Sequence, residues 1–168
     1  MSRGPTTIES RGKVLAAEEF ARALPAGARL LGLDVGTKTV GLALSDVTRT
    51  IASGLTTLAR GKFSADARRL LELAQEHGVG GFVIGLPISL DGSEGPRAQA
   101  TRAFARNLGQ LTPLPILLWD ERLTTAAAER SLLEADVSRR RRAQVIDKVA
   151  ATLILQSALD RLELLDRD

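Results

Sequence analysis

The sequence contains no cysteine and no tyrosine, and it has a single histidine, His77. Without cysteine the chain can form no disulfide, can use no thiol nucleophile and can hold no cysteine-ligated zinc or iron–sulfur centre. One histidine also excludes a histidine metal cluster within the chain. Any metal site must therefore be built from oxygen ligands, and such ligands favour Mg²⁺ or Mn²⁺.

Aromatic side chains are scarce, which argues against a nucleic-acid surface that depends on base stacking. The chain has four phenylalanines and one tryptophan. If the protein binds nucleic acid, charge and backbone shape must supply the affinity. The formal net charge of +3, carried mainly by arginine, favours such a partner only mildly.

Long hydrophobic runs are also absent. No apolar stretch approaches the ~20 residues needed to cross a bilayer, and the N-terminal segment contains acidic residues where a signal peptide would have a continuous apolar core. We therefore expect a cytoplasmic protein with no membrane partner. The 168 residues and the apolar content of 44% are sufficient for one globular domain with its own core.

The stretch from residue 30 to residue 45 predicts the β-hairpin around which the chain is organised. Residues 30–35 form an apolar run that contains one charged residue, Asp34, and a glycine-containing turn leads into an alternating strand at 39–46. The first strand is typical of one buried on both faces. A carboxylate there is costly unless a cation compensates it, and a metal ion is the simplest candidate.

The remaining patterns predict three further strands and a set of helices. The strands are expected at 51–58, 81–86 and 115–119. The helices are expected at 14–24, 96–111, 124–134 and 143–165, and one more helix runs from an N-cap at Ser64 to Gly78. This order predicts an α/β fold, a mixed five-stranded sheet with helices on both faces. We place residues 1–29 in a partly flexible N-terminal extension and residues 30–168 in the domain.

Acidic side chains from separate parts of the chain are candidate metal ligands. Asp34 ends the first strand, and Asp120 and Glu121 follow the last strand, so both positions should face one cleft at the carboxyl ends of parallel strands. Because side chains alternate along a strand, only one of Asp120 and Glu121 can point into that cleft while the chain is extended. Either could be the ligand, and we expect the other to pair with Arg122 or to cap a helix. Asp147 lies on the apolar stripe of the last helix with Ala151. Three such acids suit a two-magnesium site that acts on a phosphodiester.

Basic residues are candidates for contacts with nucleic-acid phosphates. The longest run is Arg139, Arg140, Arg141 and Arg142. Four cations at the start of a helix oppose its dipole, so we place this run in a loop or a fraying turn beside the acids, where it could hold phosphates. A solvated surface run is the alternative interpretation. Lys38 and Arg122 are further candidates for nucleic-acid binding.

Four segments in the same order and spacing resemble the YqgF family of bacterial Holliday-junction-resolvase-like proteins. They are residues 33–38, residues 85–87 with 91–92, residues 120–125 and residues 147–151. The resemblance implies a ribonuclease H-like fold and a metal-dependent nuclease that processes precursor ribosomal RNA at the 5′ end of 16S rRNA or cleaves branched DNA. Carried over by position, it implies Asp34, Glu121 and Asp147 as catalytic metal ligands, with Asp120 as an additional candidate.

Two other classes of function are compatible with the sequence. Residues 34–37 also resemble the phosphate-binding start of sugar kinases and actin-like ATPases, although those proteins have two lobes and are much longer. The other possibility is a non-catalytic factor that binds nucleic acid or associates with ribosomes or transcription, because a fold does not by itself determine activity. A junction resolvase needs two active sites, whereas a processing nuclease needs one, and we expect a monomer or a weak homodimer.

Overall fold

A five-stranded sheet organises the structure, a computed structural model that describes residues 13–124 and 139–166, with the side chains of 139–147 and of residue 166 outside the description. The strands are β1 (Arg29–Val35), β2 (Thr39–Ser45), β3 (Ala52–Ala59), β4 (Val79–Leu86) and β5 (Ile116–Asp120). The helices are α1 (Ala17–Ala23), α2 (Phe63–Glu76), α3 (Pro96–Gly109) and α4 (Arg139–Asp166), and a 3-10 turn, Glu121–Leu123, follows β5.

The sheet is mixed, and β1 lies at its centre. The strand order is β3-β2-β1-β4-β5, with antiparallel pairing from β1 to β2 and from β2 to β3, and parallel pairing from β1 to β4 and from β4 to β5. The predicted five-stranded mixed sheet is confirmed, and every strand begins and ends within two residues of its predicted position. The carboxyl ends of the three parallel strands consequently meet at one edge of the sheet.

Helices cover both faces of the sheet, as predicted, and each face has its own core. One core joins the sheet to α2 and α3, and it includes Leu33, Ile84, Leu70 and Phe104. The other joins the sheet to α1 and α4, and it includes Leu30, Val83, Phe20, Ile154 and Leu155. Gly32 of β1 allows α4 to lie close to the sheet, because a Cβ atom at this position would be only 2.8 Å from the Cβ of Leu155.

The segment before β1 packs against the α4 face of the sheet. Val14 forms a parallel bridge with Ile116, and Phe20 of α1 is 0% exposed. Its ring lies against β4, where a Cβ atom on Gly81 would be 2.9 Å from it. Residues 13–29 thus contribute to the core, while residues 1–12 lie outside the described part of the chain. The domain boundary that we placed before Leu30 stays a prediction.

Two helices differ in detail from the sequence prediction. The predicted cap at Ser64 is wrong, because α2 begins at Phe63 and has Lys62 as its N-cap residue. Helix α3 begins at Pro96 as predicted but ends at Gly109, two residues before its predicted end, and Leu111 is 53% exposed. Thr101 lies on the buried face because its hydroxyl donates to the carbonyl of Arg97 at 3.0 Å, which satisfies the polar group within the helix. The predicted helix at 124–134 falls mainly on residues 125–138, which the structure does not describe.

Helix α4 begins at Arg139, four residues before its predicted start. The arginines at 139–142 therefore form its first turn. Of the two predicted placements, the loop is wrong, and the fraying turn stays a prediction. Each cation near a helix N-terminus costs only about 0.3–1 kcal/mol, whereas the apolar stripe that follows is buried against the sheet and stabilises the helix as a whole. In the described ranges, no helix is long and apolar enough to cross a membrane.

A candidate active site at the carboxyl ends of the central strands

Asp34 is a buried carboxylate near the carboxyl end of β1, with only 4% of its surface exposed. Side chains alternate along the strand, so Asp34 points to the same face as Gly32, which lies beneath Leu155 of α4. The hairpin of β1 and β2 holds it rigidly, because Asp34 is paired in register with Gly41. A carboxylate at this depth is stabilised by a cation or by hydrogen-bond donors that replace its lost hydration.

Glu121 lies over the same face of the sheet, above the neighbouring strand β4. Its Oε2 and Cγ atoms are 3.0 and 3.2 Å from the position that a Cβ atom on Gly85 would occupy. Gly85 comes one residue after the β1–β4 pair of Leu33 and Ile84, and is therefore next to Asp34 across the two strands. Paired strands are about 4.8 Å apart, so Asp34 and Glu121 occupy adjacent positions on the α4 face.

Asp120 is directed to the opposite face and pairs with Arg122. In β5 the preceding residue, Trp119, is part of the core beneath α4, and alternation turns Asp120 away from it. The Asp120 carboxylate accepts hydrogen bonds from the Arg122 guanidinium at 3.1 Å (Nε) and 2.8 Å (Nη2). These bonds lower the pKa of Asp120 and raise the pKa of Arg122. Of the two neighbouring acids, Glu121 is therefore the one that lies beside Asp34.

The 3-10 turn after β5 is what brings Glu121 back over the sheet. Asp120 acts as the N-cap of this turn, because its Oδ1 accepts the backbone N–H of Arg122 at 2.9 Å. The turn closes where the amide of Thr124 donates to the carbonyl of Glu121 at 3.2 Å. We expected the acid that is not the ligand to pair with Arg122 or to cap a helix, and Asp120 does pair with Arg122, but a turn was not predicted at this point. The available signal was an aspartate positioned to cap the amide two residues later.

Asp147, the third predicted ligand, lies in the backbone of α4, one helical turn before Ala151. The carbonyl oxygen of Ala151 is 3.3 Å from the Cβ position on Gly32, which fixes that turn of the helix above β1. The side chain of residue 147 lies outside the description, so the structure brings together two of the three predicted ligands. Among the described side chains, no group of three His, Asp or Glu residues is arranged to hold a metal ion.

The predicted basic contacts differ in their surroundings. Lys38 is exposed at the tip of the β1–β2 turn, whereas Arg122 is held by Asp120, and the side chains of residues 139–142 lie outside the description. Two arginines that our sequence analysis missed, Arg60 and Arg97, also reach this turn. Their position follows from the register of β2 on β3, which pairs Thr39 with Ala59, and from the packing of α3 on the sheet.

Comparison with known proteins places these features in a family. A family model described as "RuvX: Holliday junction resolvase" matches residues 28–161. A protein from Paracoccus denitrificans named "Putative pre-16S rRNA nuclease" is 63% identical over 150 residues, which cover 89% of this chain and 95% of that protein. A protein of the same name from Rhodobacter capsulatus is 61% identical over 150 residues, which cover 89% of this chain and 94% of that protein.

A solved structure supports the fold. The structure described as "T. thermophilus RuvC in complex with Holliday junction substrate" matches with a TM-score of 0.51 at 12% sequence identity, and the match covers 80% of this chain and 95% of that chain. At this identity the likeness concerns the fold alone, and it confirms the ribonuclease H-like arrangement expected from the sequence. With the family model matching most of its length and relatives above 60% identity, the chain belongs to the RuvX (YqgF) family.

Proposed function

We propose that this protein is a metal-dependent nuclease that hydrolyses phosphodiester bonds in the precursor of 16S rRNA, at its 5′ end. The observation that carries the proposal is the convergence of Asp34 and Glu121, from separate strands, on one face at the carboxyl ends of β1 and β5. Family membership supports nucleic acid as the substrate. The choice of precursor 16S rRNA is supported by the names of the relatives that are 63% and 61% identical.

The residues at this edge of the sheet fit a hard divalent cation. Two carboxylates provide oxygen ligands, which Mg²⁺ and Mn²⁺ prefer. Gly85 provides the space, because Oε2 of Glu121 lies only 3.0 Å from the position where any larger residue would place its Cβ atom. We assign Asp34, Glu121 and Asp147 as the ligands. Asp120 holds the turn through Arg122 and is not a ligand in this assignment.

The chain's own residues prepare the site for hydrolysis. A pair of bound divalent ions would activate the attacking water and stabilise the leaving oxygen. Asp34 is fixed by the central hairpin, and Glu121 is fixed by a turn that Asp120 caps, so neither carboxylate must be ordered when the substrate binds. Lys38, exposed at the neighbouring turn, provides a positive charge for a substrate phosphate.

Cleavage of branched DNA is the second candidate function. It is favoured by the description of the matching family model, which names a Holliday junction resolvase. A resolvase cuts two strands and therefore needs two active sites, so this function requires a dimer. A processing nuclease can act as a monomer or a weak homodimer.

The test is cleavage of end-labelled precursor 16S rRNA fragments and of four-way DNA junctions, with Mg²⁺ or Mn²⁺ and with a chelator. We expect metal-dependent RNA cleavage by the unmodified protein and a loss of at least a hundredfold in Asp34→Asn and in Glu121→Gln. Glu76→Gln is the matched control, because Glu76 is an exposed acid on α2 whose nearest ion-pair contact is 3.7 Å.

Three outcomes separate the candidates. Full cleavage by both Asp34→Asn and Glu121→Gln would contradict the proposed active site. Cleavage of junctions in preference to RNA, by a species that sizes as a dimer, would assign the protein to the resolvase function. Binding of precursor RNA without any metal-dependent cleavage would assign it to the non-catalytic class, and calorimetric titration with Mn²⁺ would then show whether Asp34 and Glu121 bind metal.

A further inference from the structure

Three cations surround the turn that follows Asp34, and we call Lys38, Arg60 and Arg97 the turn patch. Nη2 of Arg97 donates to the carbonyl of Val35 at 3.1 Å, and Nη1 of Arg60 donates to the carbonyl of Gly36 at 2.7 Å. The two guanidinium groups are thus held on consecutive carbonyls. Lys38 is joined to the same arrangement, because its carbonyl accepts the amide of Arg60 at 2.8 Å.

Acidic side chains do not neutralise the turn patch within the described residues. The ion pairs found there are made by Arg69, Arg102 and Arg122. The Arg60 guanidinium lies instead over the ring of Phe104, 5.5 Å from its centre, and this contact fixes its direction. A guanidinium has five N–H donors, and the bond to a turn carbonyl uses one of them. Arg97 and Lys38 are both exposed.

The turn patch lies close to the candidate active site but on the other layer of the fold. Phe104, beneath Arg60, belongs to the core under α2 and α3, whereas Asp34 and Glu121 lie on the α4 side. Val35 and Gly36 follow Asp34 directly, and two residues of extended chain span about 7 Å at ~3.5 Å each. Successive nucleotides of a strand advance about 3.4 Å along a helix axis. A nucleic-acid strand therefore covers the distance from Asp34 to the turn in about two nucleotides.

We infer that the turn patch is a phosphate-binding subsite that holds the substrate backbone one or two nucleotides from the bond to be cut. The inference rests on the proposed nuclease function. It adds the path that the nucleic-acid strand takes across the end of β1. Arg60 and Arg97 present forked N–H donors that suit phosphate oxygens. Contacts of this kind position a strand without reading its bases, so the subsite is expected to tolerate any sequence.

The test is the salt dependence of binding for the double variant Arg60→Gln/Arg97→Gln. A fluorescently labelled single-stranded RNA oligonucleotide is titrated in EDTA at several NaCl concentrations, and log Kd is plotted against log salt. Each neutralised phosphate on a single strand contributes about 0.7 to this slope. We expect the slope to fall by about 0.7 if the two arginines share one phosphate and by about 1.4 if each holds its own.

The matched control is Arg68→Gln/Arg106→Gln, which removes two exposed charges from α2 and α3 and lies away from the turn. We expect its slope to equal that of the unmodified protein. Arg60→Lys/Arg97→Lys keeps the charge, so its slope should also be retained. If the double glutamine variant does not melt cooperatively, Arg97→Gln alone gives the measurement, because this side chain is exposed on the first turn of α3.

An unchanged slope in the glutamine variant, or an equal fall in the control, would overturn the inference. Its failure can be told apart from failure of the proposed function, because binding is measured in EDTA and cleavage is not. If the slope is unchanged in Arg60→Gln/Arg97→Gln while Asp34→Asn loses cleavage, the subsite is refuted and the proposed nuclease function is retained. If the unmodified protein neither binds RNA nor cleaves it, both the phosphate subsite and the nuclease function are refuted.

Discussion

Gly85→Ala is the single substitution that most directly tests the placement of Glu121. The new Cβ atom would lie 2.5 Å from Cδ1 of Ile154 and 3.0 Å from Oε2 of Glu121, and both distances are shorter than ordinary contacts. Ile154 is fully buried in the core under α4 and has little room to move. Overpacking of a core typically costs about 1–3 kcal/mol, which is a fall in Tm of roughly 2–12 °C for a chain of this size.

The displaced Glu121 carboxylate should reduce cleavage beyond what the lost stability explains. We expect Gly85→Ala to remain folded at 25 °C and to need a higher Mn²⁺ concentration for half-maximal cleavage. A contact of 3.0 Å forces the carboxylate to shift by a few tenths of an ångström, and metal–ligand distances tolerate only about 0.2 Å. The assay is the initial rate of RNA cleavage as a function of Mn²⁺ concentration, with Tm measured by circular dichroism on the same samples.

A second substitution separates packing from positioning. Ile154→Val removes the Cδ1 atom that clashes with the new methyl group, so Gly85→Ala/Ile154→Val should recover stability while the contact with Glu121 persists. Ile154→Val alone is the control and should cost about 0.5–1.5 kcal/mol. Wild-type cleavage in Gly85→Ala, or full recovery of metal affinity in the double variant, would refute the reasoning that Gly85 is required to place Glu121.

Two further predictions concern Asp120 and Phe20. Asp120→Asn weakens the bonds to the Arg122 guanidinium but keeps a side-chain oxygen for the Arg122 amide. Cleavage should therefore fall less than in Glu121→Gln. Equal losses of cleavage in the two variants, at unchanged Tm, would instead make Asp120 a metal ligand. Phe20→Ala removes a ring that is 0% exposed and should cost about 3–5 kcal/mol, measured by urea unfolding. A loss below about 1 kcal/mol would place the segment before β1 outside the cooperative domain.

Short-range patterns were sufficient to predict the sheet and the depth of Asp34. Alternation over 39–46 and the apolar run before it specify the hairpin, because a slip of one residue would turn every side chain to the other face. The position of Glu121 was beyond such patterns, since it depends on a capped turn that ends the alternation after Asp120. Arg60 and Arg97 could not be found from spacing, because they meet only after β3 pairs with β2 and α3 packs on the sheet.

The end of β1 separates opposite charges onto the two layers of the fold, and this separation suits a phosphodiester strand. Alternation directs Asp34 toward α4, while the backbone carbonyls of Val35 and Gly36 turn outward and bind cations from the α2 and α3 side. Along the path of a bound nucleic-acid strand, the acids would hold metal at the bond to be cut, and the arginines of the turn patch would hold a nearby phosphate. Asp34 is followed directly by Val35 and Gly36, whose carbonyls hold the two arginines. The spacing between Asp34 and the turn patch is therefore fixed at the end of β1 and need not be formed when the substrate binds.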